Sequence, residues 1–473
     1  MKSFLKIGVS DVIISVTAVA VMLLVLLPVG RALSILPLLL ATYIVPCAVY
    51  RHSRYYSSIG QLSLSIAFVM MTLFFALNLW QSTVKLGTVE APMLLYDPYS
   101  FHRLAHDIAH GTYSVYSPVI PYSGYSIFLS WWMMLGIDDI AYPTAVNIFV
   151  LLVTLLLVGR CVVFVVGDKP YTTRMAGYAM MLTAIIPGVM GTGTVLSKDP
   201  FIIMSFLLCV NALYAIKQRY KVPLYAAMLV VGLVILAACR PTYIYILLLY
   251  IAAIWLYKMT KHDIVPICAI LGVTWVALYV GVNNSWFGDS YYVACYLESQ
   301  GHDSFSYGDS QKPLHQIMGD YNAYTLPQKL LVLPLTTAVQ FMIPFPFSTV
   351  SDVFGVPISS AYHRMSYMWY LAALPIFLFY LLHWWRKDCD IKLSLMALVS
   401  AMAYCVPALI TGGVVSRYAF VFAPLLTIMG GYVIAHIATY NKRQKRVGVV
   451  FAVSYILLLS VALFVGANPS MIL

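Results

Sequence analysis

The sequence predicts an all-α polytopic membrane protein with roughly thirteen transmembrane helices. Three observations carry that expectation. Of 473 residues, 62% are hydrophobic and 10% charged, whereas a soluble domain carries about 25% charge and needs it to cover its surface. Apolar stretches of about 20 residues, enough to cross the ~30 Å hydrocarbon core, recur along the whole chain. Lys and Arg, which give the net charge of +11, fall mostly in short loops between those stretches. That placement is the positive-inside signature of topology and argues against nucleic acid as a partner.

The start MKSFLKIG is basic, and the apolar run after it exceeds a signal h-region and lacks a small-residue cleavage site. It reads as a first transmembrane helix with a cytoplasmic N-terminus. Helices at about 11–29 and 33–50 make residues 1–61 an N-terminal hairpin. Helices at about 62–82, 143–166, 175–193, 200–216, 223–239, 241–257 and 264–283 come next. Residues 62–283 are thus a transmembrane core with a first outer loop at 83–142, and 284–365 form a second large outer loop. Helices at about 366–384, 393–412, 416–437 and 447–466 fill the C-terminal unit, 366–473.

With this threading the basic segments share one side: Arg51, Arg54, Lys169–Arg174, KQRYK (217–221), Lys258, Lys261, Arg386, Lys387 and NKRQKR (441–446). Counting GYSIFLSWWMMLG (124–136) as a span would break that agreement. It is also too short, so it is expected to lie in the interface or to re-enter from outside. The proline-interrupted stretch 331–347 is read the same way. The eight cysteines are scattered without CxxC or zinc spacing, and most sit in apolar runs as small hydrophobes. Cys295 stands alone in a polar segment.

Charged residues at outer helix ends are costly, which makes them functional candidates. They are Asp97 in LLYDPYSF, Lys198 and Asp199 in VLSKDPF, Arg240 in ACRPTY and Arg417 in VVSRYAF. By parity all five reach one face. Cations there bind a phosphate or diphosphate, and a carboxylate deprotonates a hydroxyl or holds a metal. Each also has a plainer reading. Arg240 and Arg417 suit interfacial anchors. Asp97 suits a turn or cap, and Asp199 before Pro200 suits a helix start. His102, His106 and His110 recur four apart, which fits a polar helix face, a metal or substrate phosphates. His102 is the candidate substrate-binding residue among them. Tyr113, Tyr116, Tyr122, Tyr125, Trp131 and Trp132 fit an interfacial aromatic belt.

Together these residues resemble the C-type (GT-C) membrane glycosyltransferases, which include protein O-mannosyltransferases and aminoarabinose transferases. The resemblance rests on Asp97, Phe101, Ala105, Ile108 and Gly111, matching an acid-led amphipathic helix. It also rests on the proline-led PYSGYSIFLSWWMMLG (121–136), on Asp199, and on Arg417, Tyr418 and Pro424. Asp97 is followed by Pro98 where many relatives have Asp-Glu. The resemblance implies transfer of a sugar from a polyprenyl-phosphate-linked donor to a glycan, lipid or protein acceptor, in surface-glycan assembly or modification. Asp97 would be the general base and Asp199 would position the acceptor or assist a divalent cation (Mg or Mn). Lys198, Arg240 and Arg417 would hold the lipid phosphate, and Tyr418 the substrate. It also implies a bacterial inner membrane with the site facing outside. Two other readings stay open: a polymerase using polyprenyl-diphosphate-linked oligosaccharides, and a lipid or solute transporter.

Overall fold

The computed structural model describes residues 13–14, 16–17, 19–20, 32–86, 97–112, 124–240, 242–256, 324–342, 367–384, 390–411 and 420–467. Every regular element among them is a helix: α1 (Ala32–Arg51), α2 (Ser58–Leu86), α3 (Asp97–Ala109), α4 (Gly124–Met134) and α5 (Ala141–Val166). Next come α6 (Thr172–Ala184), the short α7 (Pro187–Gly191), α8 (Asp199–Lys217), α9 (Val222–Cys239) and α10 (Thr242–Leu256). The rest are α11 (Leu326–Met342), α12 (Tyr367–Leu382), α13 (Ile391–Thr411), α14 (Ala423–His436) and α15 (Lys442–Ala467).

Within these, the segments 58–76, 141–166, 199–217, 222–239 and 442–461 are long and apolar enough to cross a membrane. A sixth is added if α6 and the turn after it count as one bent span. Shorter apolar helices account for parts of α1, α10, α12, α13 and α14. The expected span at 264–283 lies outside the described residues, and most of that at 11–29 does too.

The centre of the bundle is α5, apolar on every side and buried along nearly its whole length, as a helix without a polar face must be. It packs on α1, α6 and α8, while α9 covers α8 and α14 covers α6. Its threonines satisfy themselves: the Thr144 and Thr154 hydroxyls donate to the carbonyls of Ile140 and Val150. Between α6 and α14 the Thr183 and Thr427 hydroxyls meet at 2.7 Å.

The described basic segments gather at one end, as the threading expects. Arg160 stacks on Phe164 and Tyr220. Lys169 pairs with Asp390 at 3.3 Å, and the Tyr171 ring lies 4.2 Å from that of His436. Gln218 Nε2 donates to the Phe164 carbonyl there, and the Tyr55 hydroxyl donates to Leu156. Consecutive long helices therefore run antiparallel, and Lys198 and Arg240 fall at the opposite end.

One expected element differs. The span at 175–193 is not one helix: α6 stops at Ala184, and the short helix after it is bent away by 62°. Pro187 causes the break, because it lacks an N–H and excludes helical backbone at the residue before it. Ile186 is extended accordingly (φ −79°, ψ 106°). The proline-interrupted stretch is helical in part: α11 starts at Leu326 and continues past Pro334 to Met342. At 17 residues it is about 25 Å long, and it lies against α13.

Candidate functional site

At the end away from the basic loops, α3 packs on α4 and α4 on α9. The α3 pattern is amphipathic: Ala105 and Ile108 are buried, Phe101 half-buried, and Arg103 and His106 exposed. Both helices close in the same way. Gly111 N–H donates to Ile108 and Thr112 N–H to Asp107; Gly136 N–H donates to Met133 and Ile137 N–H to Trp132. This paired ending needs a left-handed residue at the glycine, and φ is +71° at Gly111 and +77° at Gly136. A Cβ at either would meet nothing within 4 Å. Gly111→Ala and Gly136→Ala are therefore expected to cost only the backbone strain, about 1 kcal/mol each, read as a small drop in unfolding temperature.

Gly124 behaves differently. A Cβ there would lie 2.5 Å from Ala238 Cβ and 2.8 Å from the Ala238 backbone. Gly124→Ala must push α4 off α9, with an expected loss of about 2 kcal/mol. The same unfolding measurement checks it, because an effect no larger than that of Gly111→Ala would disprove the close contact.

Between the bend and α8 the chain runs through a 3₁₀ turn (Thr192–Thr194) into non-helical backbone at 195–198. Its carbonyls need partners in an apolar surround, and two asparagines from neighbouring helices supply them. Asn147 Nδ2, on α5, donates to Val195 O (2.9 Å), Ser197 O (3.1 Å) and the Tyr125 hydroxyl (3.1 Å). Asn78 Nδ2, on α2, donates to Thr194 O (3.1 Å) and Oγ1 (3.2 Å). Gly193 lets the turn approach Leu151 and Met71, where a Cβ would collide.

This held segment delivers Lys198 and Asp199. Lys198 Nζ lies over the Phe101 ring, 5.1 Å from its centroid, and so ties α3 to the start of α8. Asp199 opens α8, half-buried, with its N–H donating to Ser197 Oγ at 3.2 Å. Its carboxylate has no hydrogen-bonded or ion-paired partner among the described residues. Tyr125 is 1% exposed and packs on Phe101 and Phe201. Burial pushes its phenol up, with Asp199 nearby adding to the effect. Tyr125 is thus part of the site wall and not of an interfacial aromatic belt. Trp131, 60% exposed, fits the belt.

Arg240 ends α9, its guanidinium 5.9 Å from the Tyr243 ring. Its neighbour Cys239 lies within electrostatic range of both Lys198 and Asp199. Lys198 and Asp199 therefore lie near the end of α9 that Arg240 closes, and Lys198 also meets α3, the helix that Asp97 begins. The Asp97 side chain lies outside the described residues, and so do Arg417 and Tyr418 entirely. The next described residues, Phe420 and Phe422, lie respectively against Gly188 and against Tyr243 and Phe206.

The three histidines do not converge. His102 Nε2 is 3.6 Å from the Asp138 carboxylate, while His106 and His110 stack on each other at 3.9 Å. Among the described residues no three His, Cys, Asp or Glu side chains group as metal ligands. Lys198 and Asp199 set a cation and a carboxylate at successive half-buried positions where α8 begins. That pairing suits an anionic group beside a hydroxyl to be deprotonated.

Asn78 and Asn147 are the residues that sequence reasoning missed. Their signal is a lone amide inside an otherwise apolar helix, which marks a backbone needing a partner. The chain matches no known family, and no curated protein or solved structure shows detectable similarity to it.

Proposed function

We propose that this chain is an integral membrane glycosyltransferase that moves a sugar from a polyprenyl-phosphate-linked donor to an acceptor at the outer face of a bilayer. One observation carries the reading. The residues of the acid-led helix motif dock through Phe101 on Lys198 and on Tyr125, so the helix begun by Asp97 shares a mouth with the SKDP turn. Asp97 is then the base that takes the acceptor hydroxyl's proton. Lys198 and Arg240, with Arg417, hold the donor phosphate. Asp199 and His102 face the acceptor, Asp199 assists a divalent cation where one is used, and Tyr418 completes the substrate contacts.

The test is transfer by the purified protein in membranes, from a panel of polyprenyl-phosphate sugars and polyprenyl-diphosphate oligosaccharides. Turnover of a monophosphate donor supports the proposal. Turnover of diphosphate-linked oligosaccharides alone makes the chain a polymerase.

A second reading has an observation of its own. The 62° break between α6 and α7 is the kind of discontinuous helix that lines transporter sites. Vesicles containing the protein that move a lipid or solute without transferring a sugar would favour it.

A further inference from the structure

The basic end holds a cluster that none of these roles uses. Around Tyr220 stand Arg160, Lys221 and Arg54, all close enough to act on its phenol. Arg160 projects from the last turns of α5, its guanidinium 4.8 Å from the Phe164 ring and 5.4 Å from that of Tyr220. The phenols of Tyr220 and Tyr225 lie within electrostatic range of it. Its Nε is buried without a hydrogen-bond partner. Lys221 Nζ covers the other part of the cluster, 5.6 Å from the Tyr220 ring. No carboxylate forms an ion pair with Arg54, Arg160 or Lys221 among the described residues. An anion seated among these three cations would be attracted by each of them.

The local backbone is shaped to keep them there. Arg219 and Lys221 both adopt left-handed backbone, φ +56° and +41°, a costly choice for side-chain-bearing residues that often marks a working site. Gln218 anchors the turn to the Phe164 carbonyl at 2.6 Å. Immediately beyond it, α9 exposes Val222, Leu224, Val230, Val231 and Val234. The cations therefore sit at the head of an apolar, outward-facing helix.

We propose that this end of the molecule binds an anionic phospholipid, its phosphodiester seated among Arg54, Arg160, Lys221 and the Tyr220 hydroxyl and its acyl chains lying along the exposed face of α9. A free anion would need only the cations. The continuous apolar face directly beneath them is what fits a lipid. The Tyr220 hydroxyl has a proton to donate to a phosphate oxygen. The guanidinium is suited to a phosphodiester because its planar donors match the oxygen spacing. The inference rests on the membrane placement of the chain and is independent of sugar transfer.

The experiment is native mass spectrometry and thermal unfolding of the full chain in detergent, titrated with phosphatidylglycerol, phosphatidylcholine or inorganic phosphate. Phosphatidylglycerol is expected to give a retained one-lipid adduct and a raised unfolding temperature that the other two do not. The variant Arg54→Gln/Lys221→Gln changes only exposed side chains, so it should fold. It is expected to weaken phosphatidylglycerol binding about 25-fold, at about fivefold per cation. The control Arg443→Gln/Lys445→Gln removes the same charge from exposed positions on α15 and should change binding about twofold or less. Equal weakening by both variants would mean diffuse attraction to a basic surface and overturn the proposal. Equal stabilisation by phosphatidylcholine or by inorganic phosphate would overturn it as well.

Discussion

Asn147→Leu is expected to destabilise the protein by about 3 kcal/mol, a large effect for the loss of one polar side chain. The side chain is 0% exposed and its amide serves three acceptors, two of them carbonyls of the irregular segment before α8. Leucine leaves the part-buried carbonyls of Val195 and Ser197 without that donor, at about 1–3 kcal/mol apiece, and the Tyr125 hydroxyl without its partner. Part of that is offset, because Asn147 Oδ1 is itself buried without a partner and its removal ends that penalty. Asn211→Leu is the natural comparison. Asn211 donates once across helices, to Leu157 O at 3.1 Å, and once within its own helix, so its loss should cost about 1 kcal/mol. Thermal unfolding in detergent ranks the two. If Asn147→Leu is no worse than Asn211→Leu, the irregular segment finds its hydrogen bonds elsewhere. A folded Asn147→Leu protein should also lose transfer activity, since Lys198 and Asp199 leave their places when the segment moves.

Asp97→Asn should do the reverse, largely sparing the fold and removing the chemistry. Transfer in membranes is expected to fall about 10³-fold, with the unfolding temperature lowered only by the loss of a first-turn carboxylate, about 0.5 kcal/mol, because asparagine keeps the size and polarity of the helix's first residue but takes no proton. Asp199→Asn is expected to lower both quantities modestly. A carboxylate in the first turn of α8 stabilises that helix by about 0.5 kcal/mol whatever else it does. If Asp97→Asn turns over at near-normal rate, the base lies elsewhere and the proposed roles fall with it. A shared loss of activity and stability in Asp97→Asn would make the residue a helix-start residue only.

Much of this arrangement is legible in the sequence because length and hydropathy are one-dimensional properties. The positions of α2, α5, α8 and α9 can be read to within a few residues from apolar run length, and the basic end from loop charge. The non-spanning character of 124–136 follows from its length alone, and the structure gives it 11 helical residues. The bend after Ala184 escapes such a reading, because IIPGVMGTGT is apolar enough to pass as the end of a span. Pro187 and three glycines register there as composition and not as geometry. Tyr125 misleads for a related reason. An aromatic in a Tyr- and Trp-rich stretch looks interfacial until the residues that cover it are known, and these, Phe101 on α3 and Phe201 on α8, lie on other helices. The placement of Lys198, Asp199 and Arg240 at one end of their helices follows from parity, whereas the contact of Lys198 with Phe101 requires a tertiary fold.

The last helix, α15, has a consequence for how this sequence can vary. Only 6% of its spanning window is buried inside the protein, against 78% for α5. Its anchor is a narrow seam on α12, where the Tyr455 hydroxyl donates to Tyr370 O at 2.9 Å and its ring lies 5.8 Å from that of Phe377. Away from that seam, each position answers to the solvent's oiliness and to nothing more specific. Leucine, valine, isoleucine and phenylalanine should exchange there freely, so two chains could share this fold while their final helices read as unrelated text. The central helix has no such latitude, since every side of it touches a neighbour of fixed shape. It is there, in the spacing of Asn147, Gly159 and Arg160, that kinship between such chains would stay visible.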